Sequence, residues 1–584
     1  MMAFGGDRRG TVFKRPAAPA LMAGECGATT EADQHSIDIA PRYPADARRR
    51  GSLLVAATLA AALWLGCYLR IDTIQHKNGL HVDEAWDYVT ATGHLGAFQT
   101  GIGAVQRGRW VSAARWQALW HPQSFWDFRQ ISLDLARFDV HPALYFWALH
   151  VWVSVFGVTF WSGPLLNLFI DVATGAALFY LARRLLRDTL AAALVVLAWS
   201  VSPSVRLTSS MARMYPLLAL FAVLFAWALL AAIDRGRPAR RPRLVLVALT
   251  LTSAGGLLTQ YQFVLIVVGG AILAGVTLVR GGLRCLLGVL CALVAGVAIT
   301  LVVQPGVSAQ FRLEQIKGSA QRFSLGAFVT KVDGAAGCLF GFFALARPWF
   351  RDAVGGVVSL GGLMPGHRLT ACALLAFWLV VATLALAVTA LFVPSLRRWI
   401  WHRDRTGWLA LVLLAWIAGT IIAQNLAFLS QPKVLSPRYL AVAFPFLAFV
   451  PFLLARFVTP RYAHAAVAAY CLVVVAALTW GPTNYAPGLG AFQDLRSAHR
   501  VLVDTDIPYE LPTILWDVPG NAQVDVAGPG TLLNDPASWI HVLGPGDYYV
   551  HRANGQPSPL LLLTRDDLVK LGRPQRKITV YRLR

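Results

Sequence analysis

Long apolar runs alternate with short polar stretches along most of this chain, and this pattern predicts a protein that crosses a membrane many times. A helix needs about 20 mainly apolar residues to cross the hydrocarbon core of a bilayer. We predict about 11 to 13 transmembrane helices on this length criterion. The run 142–156 is shorter and fits a partial or interfacial helix better. The predicted spans are 52–69, 161–181, 190–201, 214–233, 244–258, 263–279, 285–303, 369–393, 408–428, 440–455 and 464–480.

Basic residues cluster in the short connections between these runs, for example at 48–50, 183–187 and 397–405. Short cytoplasmic loops of membrane proteins are rich in Lys and Arg. The clusters therefore predict an N-terminus in the cytoplasm, with a first large loop at 71–140 and a second at 304–368 on the outer face. This orientation is typical of a multi-pass protein of the plasma membrane, which in bacteria is the inner membrane.

The composition agrees with a membrane protein, since 56% of the residues are hydrophobic and 14% are charged. Soluble domains carry about 25% charged residues. The formal net charge is +22, but the basic residues are spread over many clusters rather than gathered in one patch. This spread argues against a nucleic-acid partner and leaves membrane lipids as the general surroundings of the chain.

The chain is predicted to contain three parts. Residues 1–50 lack apolar periodicity and are predicted to be a disordered cytoplasmic tail. Residues 51–480 form the membrane domain. Residues 481–584 contain β-like runs, such as "TILWDV", "YYVHR" and "KITVYRL", between Pro and Gly turns. The predicted fold class is thus an all-α polytopic membrane body with a small C-terminal soluble α/β domain on the outer face.

Three carboxylates lie close together in "HVDEAWDY", soon after the first span: Asp83, Glu84 and Asp87. Neighbouring carboxylates raise one another's pKa, and a partly dehydrated one can act as a general base. A solvated acidic loop is the alternative interpretation. His81, Asp83 and Asp87 also suit a divalent cation, which stays possible. No second ligand cluster supports a metal site, and no other cofactor is indicated.

Two arginine–tyrosine motifs lie at the outer ends of predicted spans. Arg213 and Tyr215 occur in "SSMARMYPLLALF", and Arg438 and Tyr439 occur in "SPRYLAVAFPFLAF". The planar guanidinium matches phosphate oxygens and stays charged in poor solvent. Arginines that anchor the helix ends at the lipid surface are the alternative. Their outer position runs against the usual charge bias, which favours a ligand-binding role.

Further polar residues occur in or beside apolar segments. Asp139 and His141 directly precede the aromatic run 142–156, and Asp171 lies inside a predicted span. An ionisable residue within a membrane span is costly and is therefore a candidate functional residue. A hydrogen-bonded packing role is the alternative for Asp171, and an interfacial aromatic helix is the alternative for the other two.

The order of several motifs resembles the GT-C membrane glycosyltransferases, in particular the protein O-mannosyltransferase and aminoarabinose-transferase-like group. The resemblance covers residues 52–480. It depends on "DE" after the first span, followed by "HPALYFWALHVWVSVFG", "ARMYPLLALF", "TQYQF" and "PRYLAVAFPFLAF".

The resemblance implies an enzyme that takes a sugar from a polyprenyl-phosphate-linked donor and transfers it, with inversion, to a glycan, lipid or protein acceptor at the outer face. It implies that Asp83 is the general base and that Glu84 or Asp87 holds or tunes it. The arginines would neutralise the leaving phosphate and the tyrosines would bind phosphate or sugar. The residues with these implied donor-binding roles are Arg213, Tyr215, Arg438 and Tyr439, with Asp139, His141 and Asp171 in support.

Two other functions fit the sequence. A transporter of a lipid or an anionic solute would also have many spans, outer arginines and a buried Asp171, although no internal repeat of spans is evident. A non-catalytic scaffold or receptor would use the C-terminal tail for binding.

Overall fold

The computed structural model describes residues 45–77, 80–104, 110–233, 241–278, 282–304, 306–310, 342, 437–479, 490–504, 510–527, 543–552, 568–575 and 578–583. The chain divides into two compact units, Met1–Ser52 and Leu53–Arg584. The described residues of the first unit are helical. Every contact discussed below lies within the second unit.

Helices dominate the described part of the chain. We number the α-helices in chain order, and a 3-10 helix at Pro437–Ala443 precedes the fourteenth. They are α1 (Ala45–Gln75), α2 (Val82–Ala91), α3 (Leu95–Ala104), α4 (Ala113–Gln117), α5 (Phe128–Phe138), α6 (Leu144–Phe156), α7 (Ser162–Leu186), α8 (Thr189–Ser200), α9 (Pro203–Ser209), α10 (Tyr215–Ile233), α11 (Pro242–Thr259), α12 (Val264–Leu278), α13 (Leu283–Val303), α14 (Phe444–Leu447), α15 (Val450–Val458), α16 (Ala463–Thr479) and α17 (Leu511–Leu515).

In the described residues, five helices are long and apolar enough to cross a membrane: α1 from Gly51 onward, α7, α10, α11 and α13. A sixth crossing is possible if α8 and α9, which meet at a bend of 59°, form one broken span. The predicted polytopic helical body is therefore confirmed, and the chain is a multi-pass membrane protein. The predicted spans 369–393 and 408–428 lie outside the described residues.

Proline explains where the predicted spans are interrupted. Pro203 occupies the first turn of α9, so α8 ends just before it and the chain bends. The predicted span 440–455 is likewise divided between the 3-10 helix, α14 and α15, with Pro445 and Pro451 in the first turns of the two α-helices. Proline fits a first turn because the missing N–H has no helical partner there.

The centre of the helical body is α10, which packs against α7 on one side and α11 on the other. Its buried face includes Tyr215, Ala219, Ala222 and Phe225. In its described residues, the segment between α1 and α6 contains short helices and one short strand, none long enough to cross a bilayer. The side of the membrane on which the first large loop lies stays a prediction.

In the part of the chain that the structure describes, six strands form one mixed sheet in the order β1-β3-β2-β4-β6-β5. β3, β2 and β4 are parallel neighbours, whereas β1, β6 and β5 pair antiparallel. Five strands come from the C-terminal region, but β1 comes from the first large loop. The strands are β1 (Val111–Ser112), β2 (Arg500–Asp504), β3 (Gln523–Ala527), β4 (Tyr548–Arg552), β5 (Leu568–Gln575) and β6 (Ile578–Leu583).

Two of the three quoted β-like runs are strands in the structure, namely β4 and β6. The strand predicted for "TILWDV" is wrong, because this run contains the end of α17. Pro512 lies in the first turn of that helix, and Ile514 and Leu515 are buried. The structure does not test the predicted boundary at 481 or the solubility of the C-terminal region, and both stay predictions.

Candidate active site

Helix α2 begins with a capping box that fixes the acidic segment. The His81 side chain accepts a hydrogen bond from the backbone N–H of Asp83 over 3.1 Å. The backbone N–H of His81 in turn donates to Glu84 Oε2 over 2.8 Å. This reciprocal pair satisfies two backbone donors at the helix start. The capping box therefore fixes Asp83 and Glu84 in the first turn of α2, with Asp87 one turn further along the helix.

Asp83 and Asp87 are four residues apart and so lie on the same face of α2. They differ in exposure: the Asp83 side chain is 32% exposed, whereas that of Asp87 is fully buried. Arg213 donates from Nη1 to Asp87 Oδ1 over 2.5 Å. The same nitrogen lies 3.5 Å from the backbone oxygen of Asp83. The face of α2 therefore presents an accessible carboxylate next to a buried ion pair.

Arg213 is positioned by the connection between α9 and α10. Asn167, on α7, donates to the backbone oxygens of Met211 and Arg213 over 2.5 and 3.1 Å. The connection passes so close to Gly163 that a Cβ on this glycine would collide with Ala212. The guanidinium also lies 5.8 Å from the ring centre of Tyr215, within cation–π range.

Burial and the neighbouring charges shift the pKa values of Arg213 and Asp87. Burial alone would lower the pKa of Arg213, but Asp87, Tyr215 and Asp83 raise it well above its usual value. Burial raises the pKa of Asp87 well above its usual range; Arg213 opposes this rise, while Asp139 and Asp83 add to it. The guanidinium is thus held as a cation among several acids.

Asp139 and His141 complete the cluster from the chain before α6. Their side chains contact each other over 2.8 Å through His141 Nδ1. Arg213 Nη2 lies 3.5 Å from His141 Nε2. Since a guanidinium can donate but not accept, this contact favours a proton on His141 Nδ1 that is donated to Asp139. Burial raises the pKa of Asp139, but His141 and the backbone N–H of Val140 lower it to about 2.

The cluster keeps unused polar atoms. Asp87 Oδ2 and Arg213 Nε are buried and have no hydrogen-bond partner among the described residues. Buried polar groups are normally paired with protein or with water. The site therefore has capacity for a bound polar group.

Glu84 lies beside the cluster but is engaged in the structure of α2. It is fully buried and forms an ion pair with Lys77. The backbone N–H of Ala212 donates to its Oε1 over 2.8 Å, and its Oε2 caps the helix at His81. These contacts favour a structural role for Glu84, whose catalytic role stays a prediction.

Asp171 lies elsewhere, on α7. Arg70, on α1, donates from Nε to Asp171 Oδ2 over 2.6 Å, and the Ser209 hydroxyl donates to the same oxygen. Both charged residues border a cavity of about 340 Å³ between α1, α7 and α8. Neither Asp83 nor Arg213 lines this cavity. Asp171 is therefore separate from the predicted site.

The side chains of Arg438 and Tyr439 lie outside the described residues. Their backbone belongs to the 3-10 helix Pro437–Ala443, which packs against α9 and α10. These two helices flank the connection that contains Arg213. The backbone position is compatible with the predicted donor-binding role, which stays a prediction.

No group of three or more His, Cys, Asp or Glu side chains within the described ranges could hold a metal ion. The alternative in which His81, Asp83 and Asp87 bind a divalent cation therefore gains no support. The predicted site residues that come together are Asp83, Asp87, Asp139, His141, Arg213 and Tyr215.

Three residues that support the site were not predicted. Lys77 follows α1 in a segment that the sequence predicts to lie on the outer face, so it departs from the same charge bias that drew attention to Arg213. Asn167 lies one turn before Asp171 in an apolar helix, a further available signal. Gln310 donates to the backbone oxygens of Leu135 and His141 over 3.0 and 3.1 Å, and no local pattern indicates these contacts.

Comparison with known proteins bears on this site. The model of a family described as dolichyl-phosphate-mannose-protein mannosyltransferase matches residues 140–307. This match confirms, over that segment, the resemblance to GT-C membrane glycosyltransferases. The segment includes His141, Asp171 and Arg213, whereas the acids on α2 precede it. No curated protein matches the chain significantly.

Two solved structures align with this chain over nearly their whole length. The crystal structure of ArnT from Cupriavidus metallidurans in the apo state is 14% identical, has a TM-score of 0.47, and matches over 92% of this chain and 98% of that chain. The crystal structure of ArnT from the same organism bound to undecaprenyl phosphate is 15% identical, has a TM-score of 0.44, and matches over 90% and 97%.

Proposed function

We propose that this protein transfers a sugar from a polyprenyl-phosphate-linked donor to an acceptor at the outer face of the plasma membrane, with Asp83 as the general base. The observation that carries the proposal is the difference among the three acids on α2. Glu84 and Asp87 are fully buried in ion pairs, whereas the Asp83 side chain is 32% exposed beside the Asp87–Arg213 pair. A substrate can therefore reach Asp83 while its neighbours keep the surrounding charge fixed.

In the proposed reaction, Asp83 takes the proton from an acceptor hydroxyl as the oxygen attacks the anomeric carbon. The bond between that carbon and the phosphate oxygen breaks, and its electron pair leaves with the phosphate. The products are the glycosylated acceptor, with inverted anomeric configuration, and polyprenyl phosphate. Such a base within hydrogen-bond reach typically contributes about 100- to 10,000-fold to the rate.

Arg213 supports the departure of the phosphate. It remains cationic, and its fork of five N–H donors leaves donors beyond the one that contacts Asp87. Fixed donors aimed at developing negative charge stabilise a transition state because they need no reorganisation during the reaction. We assign Tyr215, Arg438 and Tyr439 to the same donor-binding role. His141 and Asp139 would orient Arg213 and the acidic face of α2.

The site's position suits a lipid-linked donor. α2 follows a membrane-length helix, and Arg213 lies directly before another, α10. A polyprenyl chain could stay in the bilayer while its phosphate reaches this boundary, which avoids the cost of moving the chain into water. The family whose model matches residues 140–307 is named for a donor of this kind.

The test is transfer by purified protein in lipid nanodiscs, with a panel of radiolabelled polyprenyl-phosphate sugars and membrane acceptors. We expect Asp83→Asn to lower kcat at least 100-fold with donor affinity nearly unchanged, since the amide cannot take the proton. Asp127→Asn is the matched control, because Asp127 is a partly exposed acid in the same outer segment whose side chain caps no helix. We expect it to retain wild-type turnover.

Near-normal turnover by the Asp83→Asn variant would remove Asp83 from the mechanism. Labelled substrate that crosses sealed vesicles without any glycosylated product would instead favour the transporter interpretation. A flux assay with the same protein preparation therefore separates the two functions.

A further inference from the structure

The C-terminal region does not stand apart from the candidate site. The strand β1 of the first large loop pairs antiparallel with β3 of the C-terminal sheet, with Val111 opposite Val524. The backbone N–H groups of Ala113 and Ala114 donate to the oxygens of Ala522 and Gly520 over 2.8 and 2.9 Å. The sheet is thus completed by the same loop that carries the acids on α2.

Side chains extend this contact toward α2. Gln117 donates from Nε2 to the backbone oxygens of Leu515 and Val518 over 3.1 and 2.6 Å. Trp120 stacks on Trp516 with ring centres 5.6 Å apart. Helix α17 and the residues just after it are therefore attached to the first loop by both hydrogen bonds and aromatic packing.

Trp516 also contacts the acid-bearing helix itself. Its ring centre lies 5.5 Å from that of Tyr88, which follows Asp87 on α2. Tyr88 is fully buried, and its hydroxyl accepts a hydrogen bond from the backbone N–H of Gly163 over 2.7 Å. Thr92, just after α2, donates to the oxygen of Leu119 over 2.8 Å. One side of α2 is thus packed against the C-terminal region while Asp87 pairs with Arg213.

We propose that Trp516 is a positioning residue for the transfer reaction. Through Tyr88 it holds α2 so that Asp83 and Asp87 keep their positions relative to Arg213. The C-terminal region would then be a working part of the active site rather than an appended module. This inference rests on the proposed function for its effect on turnover. Its structural part, the support of α2, does not depend on any activity.

A small movement of α2 at this contact would have a large effect on the reaction rate. Asp83 must approach the acceptor oxygen within hydrogen-bond distance, and a displacement of about 1 Å can cost about 100-fold in rate. α2 is ten residues long and carries Tyr88 near its centre. A loss of packing at Tyr88 would therefore tilt or loosen the whole short helix.

The test compares Trp516→Ala, Trp516→Phe and the control Trp126→Ala, a 77% exposed tryptophan in the first loop. Hydrogen exchange of the backbone amides of α2 is measured in nanodiscs, together with kcat and KM. For Trp516→Ala we expect exchange in α2 to rise about tenfold, and kcat to fall about 10- to 100-fold with the donor KM unchanged. We expect Trp516→Phe to restore most of kcat and Trp126→Ala to match the wild type.

Exchange in β2 and β4 reports whether the C-terminal sheet stays folded. If Trp516→Ala unfolds it, Gln117→Ala provides the test, because it loosens the attachment without removing an aromatic ring. We expect this variant to raise exchange in α2 several-fold with the sheet intact. Unchanged α2 exchange in the variant whose sheet remains folded would overturn the proposal. If wild-type protein transfers no sugar, the exchange data still decide the support of α2, and the proposed function fails separately.

Discussion

Two aspartate–arginine pairs in this protein have nearly the same geometry and very different surroundings. Asp87 and Arg213 are in contact over 2.5 Å, and Asp171 and Arg70 over 2.6 Å, with all four side chains buried. Buried pairs of this kind are seldom a strong source of stability, but the removal of one partner is costly. The contact itself therefore does not tell which pair serves chemistry.

The neighbours make the distinction. Arg70 gives further hydrogen bonds to the backbone oxygens of Gly66, one turn earlier on α1, and Ser200, over 2.9 and 3.1 Å, and the second links α1 to α8. Arg213 instead lies among Asp83, Asp139 and His141, which can accept or exchange protons. An arginine that donates its hydrogen bonds to helix backbones connects helices. An arginine that is surrounded by titratable groups can stabilise a change in charge.

The largest expected effect comes from replacing each of the two arginines with alanine. Arg213→Ala and Arg70→Ala both leave a buried aspartate unpaired, so each should lower the free energy of unfolding by about 3–5 kcal/mol. Arg213→Ala should additionally lower the kcat of the folded fraction about 100- to 1000-fold, because a donor to the leaving phosphate is lost. Arg70→Ala should leave kcat per folded molecule within a few-fold of the wild type. Detergent-solubilised protein, separated by size-exclusion chromatography and assayed for transfer, gives both quantities.

A lysine variant refines this prediction. Arg213→Lys keeps the charge but loses the planar fork, so its turnover should lie between those of the wild type and Arg213→Ala. If folded Arg70→Ala protein loses as much turnover as Arg213→Ala, the Asp171–Arg70 pair takes part in the reaction. The two pairs would then not differ in function.

The sequence shows the acid helix and its arginine because each breaks a local expectation. Three acids lie within five positions soon after a predicted span, and Arg213 is predicted to lie on the side where the charge rule disfavours arginine. The same reasoning finds Asp171 but cannot separate it from the site, because its partner Arg70 is 101 residues away. Partner choice, rather than residue type, distinguishes the two pairs, and partner choice is a property of the packed helices.

Other features leave no local trace. β1 has two residues, and its partner β3 lies more than 400 positions later, so no alternation of polar and apolar residues marks it. The run "TILWDV" has the composition of a strand, yet it contains the end of α17 because packing decides between helix and strand in short apolar runs. Contacts across such separations, including those of Trp516, require the folded chain.

The second-largest expected effect is on stability at low pH, which should distinguish the cluster around Arg213 from the Asp171–Arg70 pair. The pKa of Asp139 is about 2, below the ordinary value near 4. The ionised carboxylate therefore stabilises the folded protein above about pH 4, and this contribution is lost as the pH falls toward 2. We expect Asp139→Asn to lower the free energy of unfolding by about 2 kcal/mol at pH 7. The difference from the wild type should shrink between about pH 4 and pH 2 in thermal melts.

A difference that stays constant over this range would show that Asp139 acts through hydrogen bonding alone, without a shifted ionisation. His141→Phe should remove much of the pH dependence as well, because the histidine contact is one cause of the lowered pKa of Asp139.

The smallest effect lies behind His141, where the cluster is supported from the 3-10 turn Tyr261–Phe263 after α11 and from the segment after α13. The Tyr261 hydroxyl donates to Gln310 Oε1, and Gln310 Nε2 donates to the backbone oxygen of His141 over 3.1 Å. Tyr261→Phe removes one hydrogen bond and should cost about 1 kcal/mol of unfolding free energy, with turnover reduced less than tenfold. Tyr462→Phe, at a 70% exposed position, is the matched control and should change neither quantity. Unfolding in mixed micelles measures the first quantity and sugar transfer the second. If Tyr261→Phe behaves like Tyr462→Phe, the hydrogen bond from Tyr261 to Gln310 has no part in supporting the cluster.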